Sequence, residues 1–246
     1  MSTAAGGDLI WSRPEPGARR PRFSREKIAA VALEIADTDG FEAVSMRRIA
    51  ADLGAATMTL YNYVRTKDDL IAVMHDAIMA EVLVPAQELP DGWRPALTMI
   101  AGRVRAALVR HPWATGSLQE AQFGPNAMRR FEQFLAVVDG VELTTADKFD
   151  LLGVVNSYIF GNALISVESL QRARNAAASP EAVAEIIAYA TVQLETGEFP
   201  HTAKLMAQQS EGNAGPPMDE EGTARQFERG LDALLDGLAL RYGLGA

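Results

Sequence analysis

Residues 53–61, Leu-Gly-Ala-Ala-Thr-Met-Thr-Leu-Tyr, decide the fold of the first part of this chain. In a helix-turn-helix the two helices cross closely, so the first helix needs a small residue at the crossing. The turn needs a residue that tolerates a left-handed backbone, and the second helix needs an apolar anchor. Ala50, Gly54 and Leu60 supply these features in order. The same spacing also occurs in ordinary helix pairs, so the flanking residues have to support the interpretation.

The flanking residues predict four helices. Hydroxyl side chains stand where N-caps are expected, at Ser24, Ser45, Thr57 and Thr66. Asp69, three residues after Thr66, adds a capping-box pattern. The predicted helices cover residues 24–39, 46–53, 58–64 and 67–83. The pattern therefore favours a three-helix DNA-binding unit followed by a connecting helix.

The second motif helix carries the side chains that are expected to meet DNA. Because Leu60 faces the core, its neighbours are left to point outward. Short hydroxyls and tyrosines suit contacts with phosphates and base edges. The outward candidates are Thr57, Met58, Thr59, Tyr61, Asn62 and Tyr63.

Residues 24–83 resemble the DNA-binding domain of the tetracycline-repressor (TetR) family. The resemblance is carried by Ser-Met-Arg-Arg-Ile-Ala-Ala-Asp-Leu-Gly at 45–54, Thr-Met-Thr-Leu-Tyr-Asn-Tyr-Val at 57–64 and Lys-Asp-Asp-Leu at 67–70. It implies that a recognition helix opens with base-reading residues in the major groove.

The same resemblance assigns roles to single residues. Arg47 would reach a base or a phosphate, and Tyr61 and Lys67 would hold the phosphate backbone. Tyr63, expected at the exposed end of the recognition helix, would contact DNA or pack partly into the core.

Residues 1–22 are rich in Gly, Pro and Ala and are expected to form a flexible basic arm. Arg20 and Arg22 lie directly before the first helix, where arginine arms of other DNA readers enter the minor groove. A solvated tail without DNA contacts is the alternative.

The net charge of −9 is unevenly distributed. Residues 13–67 hold ten Lys and Arg against seven Asp and Glu, which leaves 13 basic and 25 acidic residues elsewhere. A basic segment on an acidic body is typical of a DNA reader attached to a domain with another task.

The remaining sequence predicts an all-α body. Pro85, Pro90 and Gly92 break the chain after the fourth helix, so we place a DNA-binding domain at 23–84 and a second domain at 85–246. Apolar spacing favours helices throughout this second domain, and residues 210–222 are expected to form a mobile loop. His111 is expected to cap its helix before Pro112.

The resemblance makes this body a ligand-binding and homodimerisation domain. Two apolar helices, around 148–170 and 223–242, are the expected dimer contacts, and a plain intramolecular core is the alternative. A dimer suits a palindromic double-stranded operator. A small apolar or amphipathic effector is expected at a pocket drawn from Met99, Arg103, Trp113, Phe123, Phe131, Phe134, Asn156, Ile159 and Asn162.

Several function classes are disfavoured. The chain has no cysteine and three histidines, and it lacks a catalytic-triad order, a P-loop and a dinucleotide turn. We therefore expect no enzyme activity, no cofactor and no obligate metal. The drug-binding histidine position of true tetracycline repressors is Leu83 here, which argues against tetracycline and its magnesium. No secretory signal is visible, and the apolar stretch 151–167 falls short of a bilayer span, so a cytoplasmic protein is expected.

Together these features predict a sequence-specific DNA-binding transcriptional regulator, a repressor that leaves its operator when an effector moves the fourth helix. A DNA-binding regulator or architectural protein without an effector stays open as an alternative, and so does an activator.

Overall fold

The computed structural model describes residues 9–16, 22–116, 123–210 and 219–245, and the regular elements in these ranges are all helical. Eleven α-helices follow one another in these ranges. They are α1 (Arg25–Asp39), α2 (Met46–Asp52), α3 (Thr57–Leu60), α4 (Lys67–Glu81), α5 (Trp93–Arg110), α6 (Trp113–Gly116), α7 (Pro125–Asp139), α8 (Thr145–Ala178), α9 (Pro180–Glu195), α10 (Pro200–Ser210) and α11 (Glu220–Tyr242). Short 3-10 turns lie at Ile10–Ser12, Phe41–Ala43 and Ala86–Glu88. The predicted all-α fold class is confirmed.

Local sequence signals set most helix starts in the first half. The Ser24 and Ser45 hydroxyls accept hydrogen bonds from the third backbone N–H of α1 and α2. Thr66 and Asp69 form the expected capping box, in which the Asp69 N–H donates to Thr66 Oγ1 at 3.0 Å. These bonds satisfy N–H groups that a helix end leaves without partners.

The recognition helix differs from its prediction. Thr57 is the first residue of α3 rather than its N-cap, and Ala56 precedes it with an extended backbone and no side-chain cap. Regular α-geometry ends at Leu60, but the Tyr63 and Val64 N–H groups still donate to the Leu60 carbonyl, at 2.9 and 3.0 Å. The element is therefore a short helix prolonged by turns, and not a helix over 58–64.

Residues 9–16 pack against the DNA-binding unit, so the predicted flexible arm is wrong for this segment. Ile10 is fully buried, and the Arg13 guanidinium pairs with the buried Asp69 carboxylate. Arg25 Nη2 donates to the Arg13 carbonyl at 2.9 Å. An apolar anchor and a buried ion pair hold the segment down. Arg20 lies outside the described residues.

The body is built on α8, which packs against α5 and α11. Its inner residues recur at helical spacing, and they are Leu151, Val155, Ile159 and Ala163. Phe227, Leu231 and Leu235 of α11 meet this core. By contrast, α9 is exposed or partly exposed along its length. Most of the predicted mobile loop, 211–218, lies outside the described residues, while Asp219 caps α11 through the Gly222 N–H at 2.7 Å.

By length and composition alone α8 is apolar enough to cross a membrane, with a mean hydropathy of 1.3 over its most apolar stretch. One side of α8 is buried against the body, and the inward-facing Ser166 and Asn162 contact an arginine of α5. Such a two-sided environment is typical of a central helix in a bundle. The opposite side leaves Val154, Leu164 and Ile165 exposed.

Candidate DNA-binding surface and interdomain contacts

The α2–α3 pair has the geometry that its sequence predicts. Ala50 is buried at the crossing, and the Ala55 N–H donates to its carbonyl at 2.8 Å. Gly54 adopts a left-handed backbone with φ of +61°. A side chain at this position would strain the turn, which explains the glycine. Leu60 is fully buried and anchors α3.

The outer side of α3 presents most of the predicted DNA contacts. Met58 is 73% exposed and Tyr61 is 40% exposed, with Asn62 exposed beside them. Thr57 and Thr59 are half-buried. Met58, Tyr61 and Asn62 are therefore accessible to a partner, and the two threonines are partly so.

Tyr63 departs from the prediction, because it is buried rather than exposed at the end of the recognition helix. It lies three residues after Leu60 and shares the inward face of the turn. Its carbonyl also accepts a hydrogen bond from the buried Arg25 at 3.2 Å. Core packing, which the sequence left as the alternative, describes this tyrosine.

A basic rim borders the recognition helix. Arg47 and Lys67 are exposed, and the Lys67 ammonium lies 5.7 Å from the centre of the Phe41 ring. Lys67 and Tyr61 line a hollow of about 330 Å³ together with Arg65. Arg65 was not predicted as a contact, although its position directly before the Thr66 cap was a usable signal.

Arg22 lies on the turn itself. Its Nη2 donates to the Gly54 carbonyl at 3.1 Å, and its guanidinium stacks over Phe23 with 5.1 Å to the ring centre. Arg22 is exposed, so the positive charge stands at the edge of the helix-turn-helix.

The predicted effector residues do not gather into one pocket. Trp113 stacks on Phe41 of the DNA-binding unit with ring centres 5.3 Å apart, and its Nε1 donates to Asp37 at 3.0 Å. Arg103 donates to the Leu83 carbonyl at 3.1 Å and to Glu88 at 2.8 Å. Trp113 therefore contacts the DNA-binding unit, and Arg103 contacts the chain that leaves α4. Phe134 and Ile159 are buried, Met99 and Phe131 are half-buried, and Phe123 is 63% exposed.

The two predicted asparagines each accept a hydrogen bond from an arginine that the sequence analysis did not assign to this site. Arg105 Nε donates to Asn162 Oδ1 at 2.9 Å, and Arg130 Nη2 donates to Asn156 Oδ1 at 2.8 Å. Burial lowers the pKa of both arginines. Within the described ranges neither guanidinium forms a salt bridge with a carboxylate. Buried cations of this kind are costly unless other groups stabilise them.

Asp76 joins the DNA-binding half to the body. Its Oδ1 on α4 accepts hydrogen bonds from the backbone N–H groups of Asn126 and Ala127 at 2.9 and 3.1 Å. Its Oδ2 accepts a third from Asn126 Nδ2 at 2.9 Å. A carboxylate from one domain therefore caps the first turn of α7 in the other, where negative charge is favoured. Burial raises the pKa of the Asp76 carboxyl, and the bonds from Ala127 and Asn126 oppose that rise.

Gly124 makes this contact possible. A Cβ at this position would lie 2.3 Å from Asp76 Oδ1 and 2.7 Å from the Trp11 ring. The absence of a side chain lets α4, α7 and the N-terminal segment meet. A groove of about 600 Å³ runs beside this junction between α1, α4 and α7.

His111 is the C-cap residue of α5, as predicted, and its side chain also forms a second joint between the two halves. The buried ring at the end of α5 lies between two carboxylates of the DNA-binding half. Nδ1 is 2.8 Å from Asp37 on α1, and Nε2 is 3.2 Å from Glu81 on α4. A neutral imidazole has one N–H, so only the protonated ring donates to both carboxylates.

Comparisons with known proteins agree with this architecture. The family model described as bacterial regulatory proteins of the tetR family matches residues 28–74, and the tetracyclin repressor-like C-terminal domain matches residues 84–242. An HTH-type transcriptional regulator of Saccharopolyspora erythraea is 31% identical over 99% of this chain and 97% of its own length. The HTH-type transcriptional repressor DrrR1 of Streptomyces coeruleorubidus is 32% identical over 94% of this chain and 83% of its own.

Solved structures share the fold. That of the Streptomyces coelicolor TetR family protein ActR in complex with actinorhodin superimposes with a TM-score of 0.68. It is 24% identical to this chain and covers 91% of it, with 99% of the ActR chain matched.

Proposed function

The chain belongs to the TetR family of bacterial transcriptional regulators, and from that premise we propose that it is a homodimeric repressor that a small-molecule effector releases from a palindromic operator. Such a regulator works in the cytoplasm. The exposed face of α3 beside a basic rim is the observation that carries the DNA-binding part of this proposal.

The proposed DNA contacts fall into two groups. Thr57, Met58, Thr59 and Asn62 open or follow the recognition helix and would meet base edges. Arg47, Tyr61, Lys67, Arg20 and Arg22 would hold the phosphate backbone or, for the last two, the neighbouring minor groove. Arg65 joins the second group, because it lines the same hollow as Tyr61 and Lys67.

The proposed dimer uses the outer side of α8 together with α11. Val154, Leu164 and Ile165 are exposed on α8, and Leu240 of α11 is 87% exposed. A groove of about 570 Å³ runs between these helices, and Gly153 in it has open space above its Cα. Apolar surface of this extent favours a partner, and a second copy supplies the two-fold symmetry of a palindromic operator.

The two joints support the proposed release mechanism. Both attach helices of the DNA-binding half to the body, at α4 through Asp76 and at α1 and α4 through His111. An effector that binds differently to two arrangements of the body would shift α4 and separate the recognition helices of the dimer. DrrR1 is named as a repressor, and the ActR structure holds actinorhodin.

Footprinting of the DNA next to the gene tests the DNA-binding proposal. We expect a protected palindrome with half-sites about one helical turn apart. Lys67→Ala should weaken binding and reduce the salt dependence of affinity, because a phosphate contact is lost. Arg174→Ala, an exposed arginine of α8, is the control and should change neither. Equal effects of the two substitutions, or no protected site, would refute the assignment.

A further inference from the structure

Arg130 on α7 is a half-buried cation with spare hydrogen-bonding capacity. A guanidinium carries five N–H donors, and among the described residues Asn156 accepts from only one of its nitrogens. The acceptor is a neutral amide oxygen, so the positive charge is solvated but not neutralised. Carboxylates and other planar anions fit a guanidinium better, because they accept two charge-assisted hydrogen bonds at once.

Arg105 in the same body has more hydrogen-bond partners. Its nitrogens donate to Asn162 at 2.9 Å and to Ser166 and Thr223 at 3.1 Å each. Its guanidinium also lies 5.3 Å from the centre of the Phe227 ring. This side chain ties α5, α8 and α11 together. Arg130 has a single such bond among the described residues, so a role in linking helices explains its position less well.

Three phenylalanines contact one another on α7, on α8 and just before α7, the two helices that also carry the Arg130–Asn156 pair. The Phe131 ring lies 6.3 Å from Phe149 and 6.5 Å from Phe123. Phe149 and Asn156 are two helical turns apart on α8 and therefore share a face, while Phe131 follows Arg130 on α7. Phe149 and Phe123 are 59% and 63% exposed. The α7–α8 pair therefore carries exposed aromatic rings and, at Asn156 two turns along α8, an arginine without a carboxylate partner among the described residues.

We propose that Arg130 and Asn156 form the polar end of the effector site, and that the effector is a flat aromatic anion whose carboxylate or ionised phenol pairs with the guanidinium. This inference rests on the proposed effector-released repressor. It selects one class among the apolar and amphipathic ligands. The rings of Phe123, Phe131 and Phe149 would cover the aromatic part of the ligand through edge and offset contacts.

The position of Arg130 also gives the site a route to DNA. Asn126 and Ala127, which hold Asp76 of α4, lie one helical turn before Arg130 on α7. A ligand that draws Arg130 away from Asn156 changes the position of α7. The Asp76 contact passes that change to the DNA-binding half.

Calorimetric titration of the full-length protein tests the proposal with three probes of one ring system. The probes are 2-naphthoate, 2,4-dinitro-1-naphthol (ionised at neutral pH) and the neutral 2-naphthylmethanol. We expect at least one of the two anions to bind at least tenfold more tightly than the alcohol. Which of them does so separates a carboxylate effector from a phenolate effector.

Two substitutions approach the site from opposite sides. Arg130→Gln keeps a donor for Asn156 but removes the charge, and Asn156→Asp gives Arg130 an internal carboxylate that competes with the ligand. Both are expected to abolish the tenfold preference for the anion. Arg174→Gln on α8 should retain it. Helical circular dichroism confirms folding, and Asn156→Asp remains informative if Arg130→Gln is unstable.

The proposal is overturned if both anions bind no better than the alcohol, if neither anion binds at millimolar concentration, or if the preference survives both substitutions. Operator binding, followed by fluorescence anisotropy on the same samples, separates this failure from that of the proposed function. Retained operator binding without anion preference refutes the aromatic-anion site alone. Loss of operator binding in the unaltered protein refutes the repressor.

Discussion

The DNA-binding half and the body differ in one buried ion pair and in how much apolar surface they expose. In the first half the buried Arg13 pairs with Asp69, and Asp69 also accepts the N–H groups of Arg65 and Thr66 at 2.9 and 3.3 Å. In the body Arg105 and Arg130 donate to neutral oxygens and form no salt bridge with a described residue, as is also true of the buried Arg25 in the first half. The surfaces differ as well, because the body leaves long apolar stretches of α8 and α9 exposed.

The difference in apolar surface separates a unit that buries its apolar anchors within one chain from a body that leaves apolar faces of α8 and α9 uncovered. The first half pairs Arg13 with Asp69 and buries its apolar anchors, whereas Arg13 Nε and Trp11 Nε1 have no hydrogen-bond partner among the described residues. The body has exposed apolar faces that suit a second subunit and a cation that suits an anionic ligand. Incomplete regions of this kind respond to binding, because binding supplies what the folded chain lacks.

Removing the anchor of the first half should have the largest effect. Leu60→Ala deletes a fully buried side chain and is expected to lower the free energy of unfolding by about 2–5 kcal/mol. Met58→Ala, two residues away on the exposed face, should change it by less than about 0.5 kcal/mol while weakening operator binding. Urea unfolding and anisotropy measure the two quantities. Similar destabilisation by both substitutions would show that the exposed face of α3 is part of the core.

The joint between the halves is the next test. Asp76→Ala leaves the Asn126 and Ala127 N–H groups without their acceptor, which is expected to cost about 1–3 kcal/mol. Faster hydrogen exchange at those two amides is the local signature. Glu34→Ala, an exposed carboxylate of α1, should leave stability within about 0.5 kcal/mol. Unchanged exchange in Asp76→Ala would mean that α7 is capped by other groups.

Two exposed isoleucines test which apolar surface of the body forms the proposed dimer interface. Ile165 of α8 and Ile187 of α9 are 61% and 60% exposed, so a lysine at either costs a single subunit about 0.5 kcal/mol or less. Ile165→Lys should dissociate the proposed dimer at micromolar concentration, because it places a charge in an apolar interface. Ile187→Lys should leave the dimer intact. Sedimentation equilibrium distinguishes them, and equal behaviour would move the interface away from the outer side of α8.

Sequence reasoning was most successful where local chemistry decides the structure. The Ser24 and Ser45 caps, the Thr66–Asp69 capping box and the left-handed Gly54 each depend on a few neighbouring residues, and the structure confirms them. Tyr63 shows the limit. Its burial depends on turns after Leu60 and on Arg25 from another helix, which a pattern of exposed and buried positions does not encode.

Contacts between distant segments were not predictable from one sequence. Trp113 was predicted to line the pocket because it is aromatic, but it stacks on Phe41, which is 72 residues earlier in the chain. Gly124 and Asp76 gave no local signal, since their importance arises only when α4 meets α7. Among the predicted effector residues, Asn156 and Asn162 are half-buried amides that need partners. The partners, Arg130 and Arg105, became visible only in the fold.

The titration of Asp76 gives the smallest expected effect. It tests whether burial changes the pKa of this carboxyl by more than its hydrogen bonds do. Because burial raises the pKa of this carboxyl above its ordinary value of 3.8, the folded protein binds a proton in a pH range where the unfolded chain does not. The contribution of Asp76 to stability therefore increases as pH falls through that range and decreases as pH rises through it. Asp76→Asn lacks this titration.

The free energy of unfolding of the unaltered protein, minus that of Asp76→Asn, should thus grow as the pH is lowered from 7 and level off below about 3.8. Asp68→Asn, an exposed neighbour on α4, serves as the control and should not reproduce this trend. Urea unfolding at a series of pH values measures both. A difference that shrinks as the pH falls would mean that the α7 amides stabilise the carboxylate by more than burial costs it. Asp76 would then resemble Asp69 of the DNA-binding half, whose carboxylate is stabilised by its partner Arg13.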